Sequence, residues 1–121
     1  MFLSSQSLRV LAVDDEPLIL MNLVDMLEDL GHEAVSAGSG KSAIVEMEKG
    51  AFDLLVTDHS MPNMTGADLI RQAREKYPQI AVILATGHME VPEEAGGNVV
   101  RLGKPFSTED LVRALQAVRQ P

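Results

Sequence analysis

Four short aliphatic runs, each leading into an acidic, hydroxyl or basic residue, constrain the fold of this chain more than any other feature. The runs cover residues 8–13, 53–57, 80–85 and 98–102. They lead into Asp14-Asp15, Asp58, Thr86 and, through one glycine, Lys104-Pro105. Runs this short and aliphatic indicate buried parallel strands, and open α/β sheets bind ligands at the carboxyl ends of their strands. We therefore predict that three carboxylates, a hydroxyl and an ammonium meet at one edge of one sheet.

The predicted cluster of carboxylates indicates a cation site. Like charges in one pocket repel and raise each other's pKa values unless a cation joins them. Lys104 would supply one compact positive charge, and a hard divalent cation such as Mg²⁺ would supply the rest, with Asp14, Asp15 and Asp58 as an oxygen cage. An Asp carboxylate can also act as a nucleophile toward phosphorus. Each residue taken singly is as well explained as a cap, a turn or a surface residue, so the prediction rests on four strand ends agreeing.

Strand signals alternate with helix signals along the chain. Helices are predicted to begin at Pro17, after the turn at residues 38–40, at about Ala67 and near Thr108, and a short strand is predicted at residues 33–37. The segment from Gly87 to Gly97 contains a proline and further glycine, so its helix is expected to be short or missing. This alternation predicts an α/β fold, a doubly wound parallel five-stranded sheet with helices on both faces.

Composition excludes several classes of protein. The 121 residues include 10 basic and 18 acidic side chains, for a formal charge of −8, which argues against direct nucleic-acid binding. Absence of cysteine excludes disulfides and thiolate metal sites. No apolar stretch reaches the length of a membrane span, and residues 1–7 lack the features of a signal peptide. We expect one domain over residues 1–121, with a core from about Leu8 to Val118, in the cytoplasm and without membrane insertion.

The order Asp14-Asp15, Asp58, Thr86, Lys104-Pro105 closely resembles the receiver domain of two-component response regulators. The loop at residues 58–66 reads Asp-His-Ser-Met-Pro-Asn-Met-Thr-Gly and resembles the family's Asp-x-x-Met-Pro-x-Met-x-Gly signature. The resemblance extends over nearly the whole chain. It implies a flavodoxin-like (βα)5 fold with strand order 2-1-3-4-5.

The resemblance also implies a function for each residue at the sheet edge. Asp58 would accept a phosphoryl group from a sensor histidine kinase or a histidine phosphotransfer protein. Magnesium would be held by Asp14, Asp15, Asp58 and the backbone carbonyl of Ser60. Lys104 would contact the phosphoryl group, Thr86 would follow it inward, and a cis peptide bond is expected before Pro105. Such a domain signals by a conformational change in a phosphorelay and catalyses only its own phosphotransfer and autodephosphorylation, so it is not a metabolic enzyme.

The chain departs from the family pattern at two places. Arg101 stands where the family usually carries Tyr or Phe, whose rotamer reports activation, and the fourth helix is weak or absent. We expect Arg101 to stay largely exposed, pairing with Glu93 or Glu94, and the switch to act through Thr86 and the Gly87–Gly97 segment. The stretch at residues 83–88 resembles a Phe-Ala-Thr-Gly-Tyr motif of stand-alone receivers and also receivers fused to hybrid histidine kinases. The sequence does not separate these two types.

Specific residues oppose two other functions. A phosphorylation-independent adaptor of the same fold is opposed by the intact Asp58, Thr86 and Lys104. A magnesium-dependent phosphatase with an Asp nucleophile is opposed by the residues after Asp58, because such enzymes carry Asp-x-Asp and this chain has His59-Ser60. The downstream partner, the cognate kinase and the oligomeric state stay open.

Overall fold

A parallel five-stranded sheet forms the centre of the computed structural model, which describes residues 7–119. The elements are β1 (Arg9–Val13), α1 (Pro17–Asp29), β2 (Glu33–Ala37), α2 (Gly40–Lys49), β3 (Leu54–Asp58), α3 (Gly66–Lys76), β4 (Ala81–Thr86), β5 (Val99–Gly103) and α4 (Thr108–Val118). The strand order is β2-β1-β3-β4-β5 and every pairing is parallel, so the predicted flavodoxin-like fold is confirmed. Within residues 7–119, no helix is both long and apolar enough to cross a membrane. The predictions made for residues 1–6 lie outside the described part.

Both faces of the three interior strands β1, β3 and β4 are buried, which explains why these strands are nearly continuous hydrophobic runs. In β1, Leu11 and Val13 contribute to the apolar cluster that α2 and α3 cover. Val10 and Ala12 contribute to the cluster on the opposite face, which α1 and α4 cover. Burying one large aliphatic side chain contributes about 1.5–3 kcal/mol. Packing on two faces therefore fixes the height and register of the central strands, and with them the positions of the residues at their carboxyl ends.

Hydroxyl side chains define the start of the helices that flank this edge. Thr65 caps α3: its hydroxyl accepts a hydrogen bond from the Asp68 amide at 3.1 Å, and its own amide donates to the Asp68 carboxylate at 3.2 Å. Ser107 and Asp110 form the same reciprocal pair at the start of α4. Such capping boxes satisfy amides that the first helical turn leaves without partners. They anchor the loops that follow β3 and β5.

A single turn of 3-10 helix, Glu93–Ala95, replaces an α-helix between β4 and β5, as the sequence predicts. Two arginines of α3 hold the chain around this turn through backbone carbonyls. Arg71 donates to the carbonyl of Glu94 at 3.1 Å. Arg74 donates to the carbonyls of Gly97 at 2.6 Å and Asn98 at 3.0 Å. The second half of the connection is therefore tied to α3 by guanidinium groups instead of by a packed helix.

Candidate functional site

Three acidic side chains meet at the carboxyl edge of the sheet. Asp14 follows β1 and Asp58 ends β3, and these strands are neighbours with Val13 in register with Thr57. Asp14 is 2% exposed and Asp58 is 6% exposed, whereas Asp15 is exposed to solvent. Each acid contributes one carboxylate oxygen to a group of three oxygen atoms that all lie within 4.8 Å of one another. The structure thus brings together the three carboxylates that the sequence places at one edge.

Lys104 joins this group from the end of β5. Its Nζ lies 2.9 Å from Oδ2 of Asp14 and 2.8 Å from Oδ1 of Asp58. Its backbone amide donates to the carbonyl of Thr86 at 3.0 Å, which fixes the chain beside β4. The peptide bond between Lys104 and Pro105 is cis, as expected. One ammonium therefore bridges the two buried carboxylates.

The electrostatics of the site leave negative charge to be neutralised. The pKa of Asp58 is raised, first of all by burial of the carboxyl group. The negative charges of Asp14 and Asp15 also raise it, and the hydrogen bond from Lys104 offsets only part of this shift. Burial lowers the pKa of Lys104, but its hydrogen bonds to Asp58 and Asp14 outweigh this and raise the pKa overall. Lys104 is therefore charged at neutral pH. Three carboxylates against one ammonium leave a formal charge of −2, which one divalent cation would neutralise.

The donor set fits a hard divalent cation. All three side chains offer carboxylate oxygens, which Mg²⁺ prefers. Asp14 is also oriented, because its Oδ1 accepts a hydrogen bond from the Glu16 amide at 2.9 Å while its Oδ2 contacts Lys104. The exposed Asp15 marks the side of the cluster that faces solvent. A cation there would keep several waters, or a phosphoryl oxygen, among its ligands.

Thr86 and Ser60 lie at the same edge but outside the carboxylate cluster. Thr86 is 2% exposed and lies one residue beyond Ala85, the register partner of Asp58. Its hydroxyl accepts a hydrogen bond from the His88 amide at 3.1 Å, and within residues 7–119 it makes no hydrogen bond to the three acids. Ser60 is exposed in the loop two residues after Asp58. The roles predicted for these two residues stay predictions.

Gly66 is a structural determinant of the site to which the sequence analysis assigns no role. A Cβ atom at this position would overlap the backbone carbonyl oxygen of Asp58 and would lie 2.9 Å from Cα of His59. The Gly66 amide also donates to the carbonyl of His59 at 2.9 Å. The loop after β3 therefore folds back against the backbone of the acid itself. In the sequence, the sign of this contact is Gly66 itself, because a glycine ends the signature loop at the point where a helix begins.

Comparison with known proteins identifies the family. The profile of the response regulator receiver domain matches residues 10–116, so the chain belongs to this family. The transcriptional regulatory protein PdtaR of Mycobacterium tuberculosis is 37% identical over 112 residues, which cover 89% of this chain and 55% of PdtaR. The chain thus spans about half the length of that relative.

Solved structures agree with this assignment. The chemotaxis protein CheY4 of Vibrio cholerae is similar with a TM-score of 0.85 at 31% identity, covering 93% of this chain and 99% of CheY4. The response regulator TrrA of Thermotoga maritima, solved in complex with Mg²⁺ and BeF, has a TM-score of 0.78 at 28% identity, covering 91% of this chain and 97% of TrrA. This chain is therefore a receiver domain of two-component signalling, and domains of its family accept phosphoryl groups from histidine kinases.

Proposed function

We propose that Asp58 accepts the phosphoryl group and that Mg²⁺ is held by Asp14, Asp15, Asp58 and the backbone carbonyl of Ser60. The observation that carries this proposal is the cluster itself, three carboxylate oxygens within 4.8 Å of one another with the Lys104 ammonium 2.8 Å from Asp58. Asp58 is largely buried and is the last residue of β3, the middle strand of the five. The Mg²⁺ and BeF bound to TrrA support the same assignment.

The chemistry follows from these groups. A carboxylate oxygen of Asp58 attacks phosphorus, the bond from phosphorus to the donor's imidazole nitrogen breaks, and an acyl phosphate forms as the imidazole leaves. Lys104 would compensate charge on the phosphoryl oxygens, and Thr86 would turn toward them. When bound, Mg²⁺ would supply further positive charge to the same oxygens. Autodephosphorylation is the attack of water on this acyl phosphate, and His59 and His88, one residue after Asp58 and two residues after Thr86, would affect the access of that water.

We also propose that residues 1–121 form a single receiver domain with its core at about 8–118, and that the phosphodonor is a sensor histidine kinase or a histidine phosphotransfer protein. The domain catalyses only its own phosphotransfer and autodephosphorylation, in the cytoplasm. Its charge of −8 supports a protein rather than a nucleic acid as its direct downstream partner.

Labelling of the full chain tests the proposal. With Mg²⁺ and acetyl [³²P]phosphate, we expect up to one equivalent of label per chain. Hydroxylamine should release this label because the bond is an acyl phosphate, and peptide mapping should place it at Asp58. A phosphorylation-independent adaptor would take up no label. A phosphatase would instead hydrolyse small phosphate esters with multiple turnovers.

Magnesium should stabilise the fold. A ligand that binds only the native state at 100 times its Kd contributes about 2.7 kcal/mol, which is roughly 10 °C in Tm for a domain of this size. Asp15→Asn should reduce this rise, because it removes one charged ligand while its exposed side chain leaves the core intact. Asp29→Asn, an exposed acid at the far end of α1, should keep the full rise. A Tm that is insensitive to millimolar Mg²⁺ would argue against a metal site.

A further inference from the structure

Thr57 is a polar residue in an apolar layer of the core. It is buried, with 0% of its surface exposed. Its register partners Val13 and Leu84 both belong to the apolar cluster that α2 and α3 cover, and register partners in a pleated parallel sheet direct their side chains to the same face. Because burying a hydroxyl group without a hydrogen-bond partner costs free energy, the partner of Thr57 indicates what this side chain does.

The partner of the Thr57 hydroxyl is the backbone of the proposed phosphoacceptor. Oγ1 of Thr57 donates to the backbone carbonyl of Asp58 at 2.9 Å. The amide of the same peptide group is held as well, because the His59 amide donates to the carbonyl of Ala85 at 3.1 Å. Both polar groups of the peptide between Asp58 and His59 therefore have a fixed partner.

The start of α3 approaches the same peptide group. A Cβ atom at Gly66 would overlap the carbonyl oxygen of Asp58, and the Gly66 amide donates to the carbonyl of His59 at 2.9 Å. The next residue along the loop is Ser60, whose carbonyl is a proposed ligand of Mg²⁺. The orientation of this one peptide group thus affects both the Asp58 carboxylate before it and the Ser60 carbonyl after it.

We infer that Thr57 is a positioning residue for phosphoryl transfer, an inference that rests on Asp58 as the phosphoacceptor. A peptide group is planar, so it can turn only through the backbone torsions on either side of it, ψ of Asp58 and φ of His59. The Thr57 hydroxyl restrains both torsions by holding the carbonyl oxygen. Attack on phosphorus requires the carboxylate oxygen to be held close to its reactive geometry. Thr57 serves this requirement through the backbone and not by contact with the phosphoryl group.

The two parts of the Thr57 side chain can be tested separately. Thr57→Val keeps the branched shape and removes the hydroxyl donor. Thr57→Ser keeps the donor and removes one buried methyl group. A side chain that only filled space would be replaced well by valine and poorly by serine, whereas a positioning hydroxyl predicts the opposite order for phosphorylation.

The Thr57→Val variant should be phosphorylated slowly. Its Asp58 carbonyl loses the hydroxyl donor, so the peptide group turns more freely and the His59 amide should exchange faster. We expect the rate of labelling by acetyl phosphate to fall on the order of two- to tenfold, which corresponds to the net contribution of one neutral hydrogen bond.

The Thr57→Ser variant should be less stable than the wild type because it leaves a small cavity in the core. Its labelling rate and its His59 exchange should nevertheless match the wild type, since the donor remains. Val82→Ala is the control for stability alone. Val82 is buried in the same cluster but lies four residues before the end of β4, so this variant should lose stability and keep the wild-type labelling rate.

The experiment uses the full chain with Mg²⁺ and acetyl [³²P]phosphate. Initial labelling rates are measured at several acetyl phosphate concentrations, unfolding free energies by urea denaturation, and exchange at the His59 amide by NMR. Slow labelling and fast His59 exchange in Thr57→Val, with wild-type values for both in Thr57→Ser and Val82→Ala, support the positioning role.

Three results would overturn this role while leaving the phosphoacceptor assignment in place. The first is a wild-type labelling rate in Thr57→Val. The second is a rate in Thr57→Ser as slow as that of Thr57→Val, and the third is slow labelling of Val82→Ala, which would show that lost stability is sufficient. A wild-type protein that takes up no label on Asp58 overturns the proposed function itself, and the role of Thr57 with it.

Discussion

Asp58→Asn is expected to abolish labelling by acetyl phosphate and by a phosphorylated histidine donor. The amide that replaces the carboxylate carries no negative charge and is not a nucleophile toward phosphorus. The variant should remain folded. Because the pKa of Asp58 is raised in the native state, mainly by burial, its ionisation costs folding free energy, and the stability of the wild type falls as pH rises through that pKa. Removing the charge therefore should not lower the Tm in magnesium-free buffer at neutral pH.

The control for this variant is another neutralised acid. Asp25 is exposed on α1, and Asp25→Asn should label like the wild type. Full labelling of Asp58→Asn, with normal release by hydroxylamine, would place the phosphoryl group on another acid. The same labelling assay then identifies that acid by peptide mapping.

The architecture of the site could be predicted because it follows from the strand ends. Parallel strands that are buried on both faces leave a clear hydrophobic signature, and all their carboxyl ends reach one edge of the sheet. Asp14, Asp58 and Lys104 could therefore be placed together before any contact was known. Strand bounds were less certain: β3, predicted at 53–57, and β4, predicted at 80–85, each lie one residue later in the structure.

The contacts of Arg101 could not be predicted from residue types alone. From the sequence, Arg101 is expected to be exposed and to pair with Glu93 or Glu94. It is exposed, but its Nε donates to the carbonyl of His88. The physical reason is the path of the backbone. Arg71 and Arg74 hold the chain after the 3-10 turn against α3, whereas the His88 carbonyl lies directly beside β5. Backbone carbonyls carry no sequence signal, so these bonds appear only in the folded chain.

Gly66→Ala is expected to destabilise the fold and to impair the site together. Gly66 is the first residue of α3. In a helix interior, replacing glycine by alanine usually stabilises the fold by about 0.5–1 kcal/mol. Here the added methyl group would overlap the carbonyl oxygen of Asp58 and would lie 2.8 Å from Cδ1 of Leu84. Because the nearest atom is backbone, rotation of a side chain cannot relieve the overlap. We expect a loss of about 1–3 kcal/mol in the free energy of unfolding, the usual range for overpacking.

The same overlap should displace the phosphoacceptor. Relieving it moves the backbone of Asp58 or separates the loop from β3, so labelling and the Mg²⁺-induced rise in Tm should both decrease. Gly38→Ala is the matched control, because a Cβ there meets no atom within 4 Å, and its unfolding free energy and labelling should match the wild type. Chemical denaturation and labelling of the two variants side by side distinguish the outcomes. A Gly66→Ala protein that is more stable than the wild type and labels normally would show that the loop does not need this close approach to hold Asp58 in place.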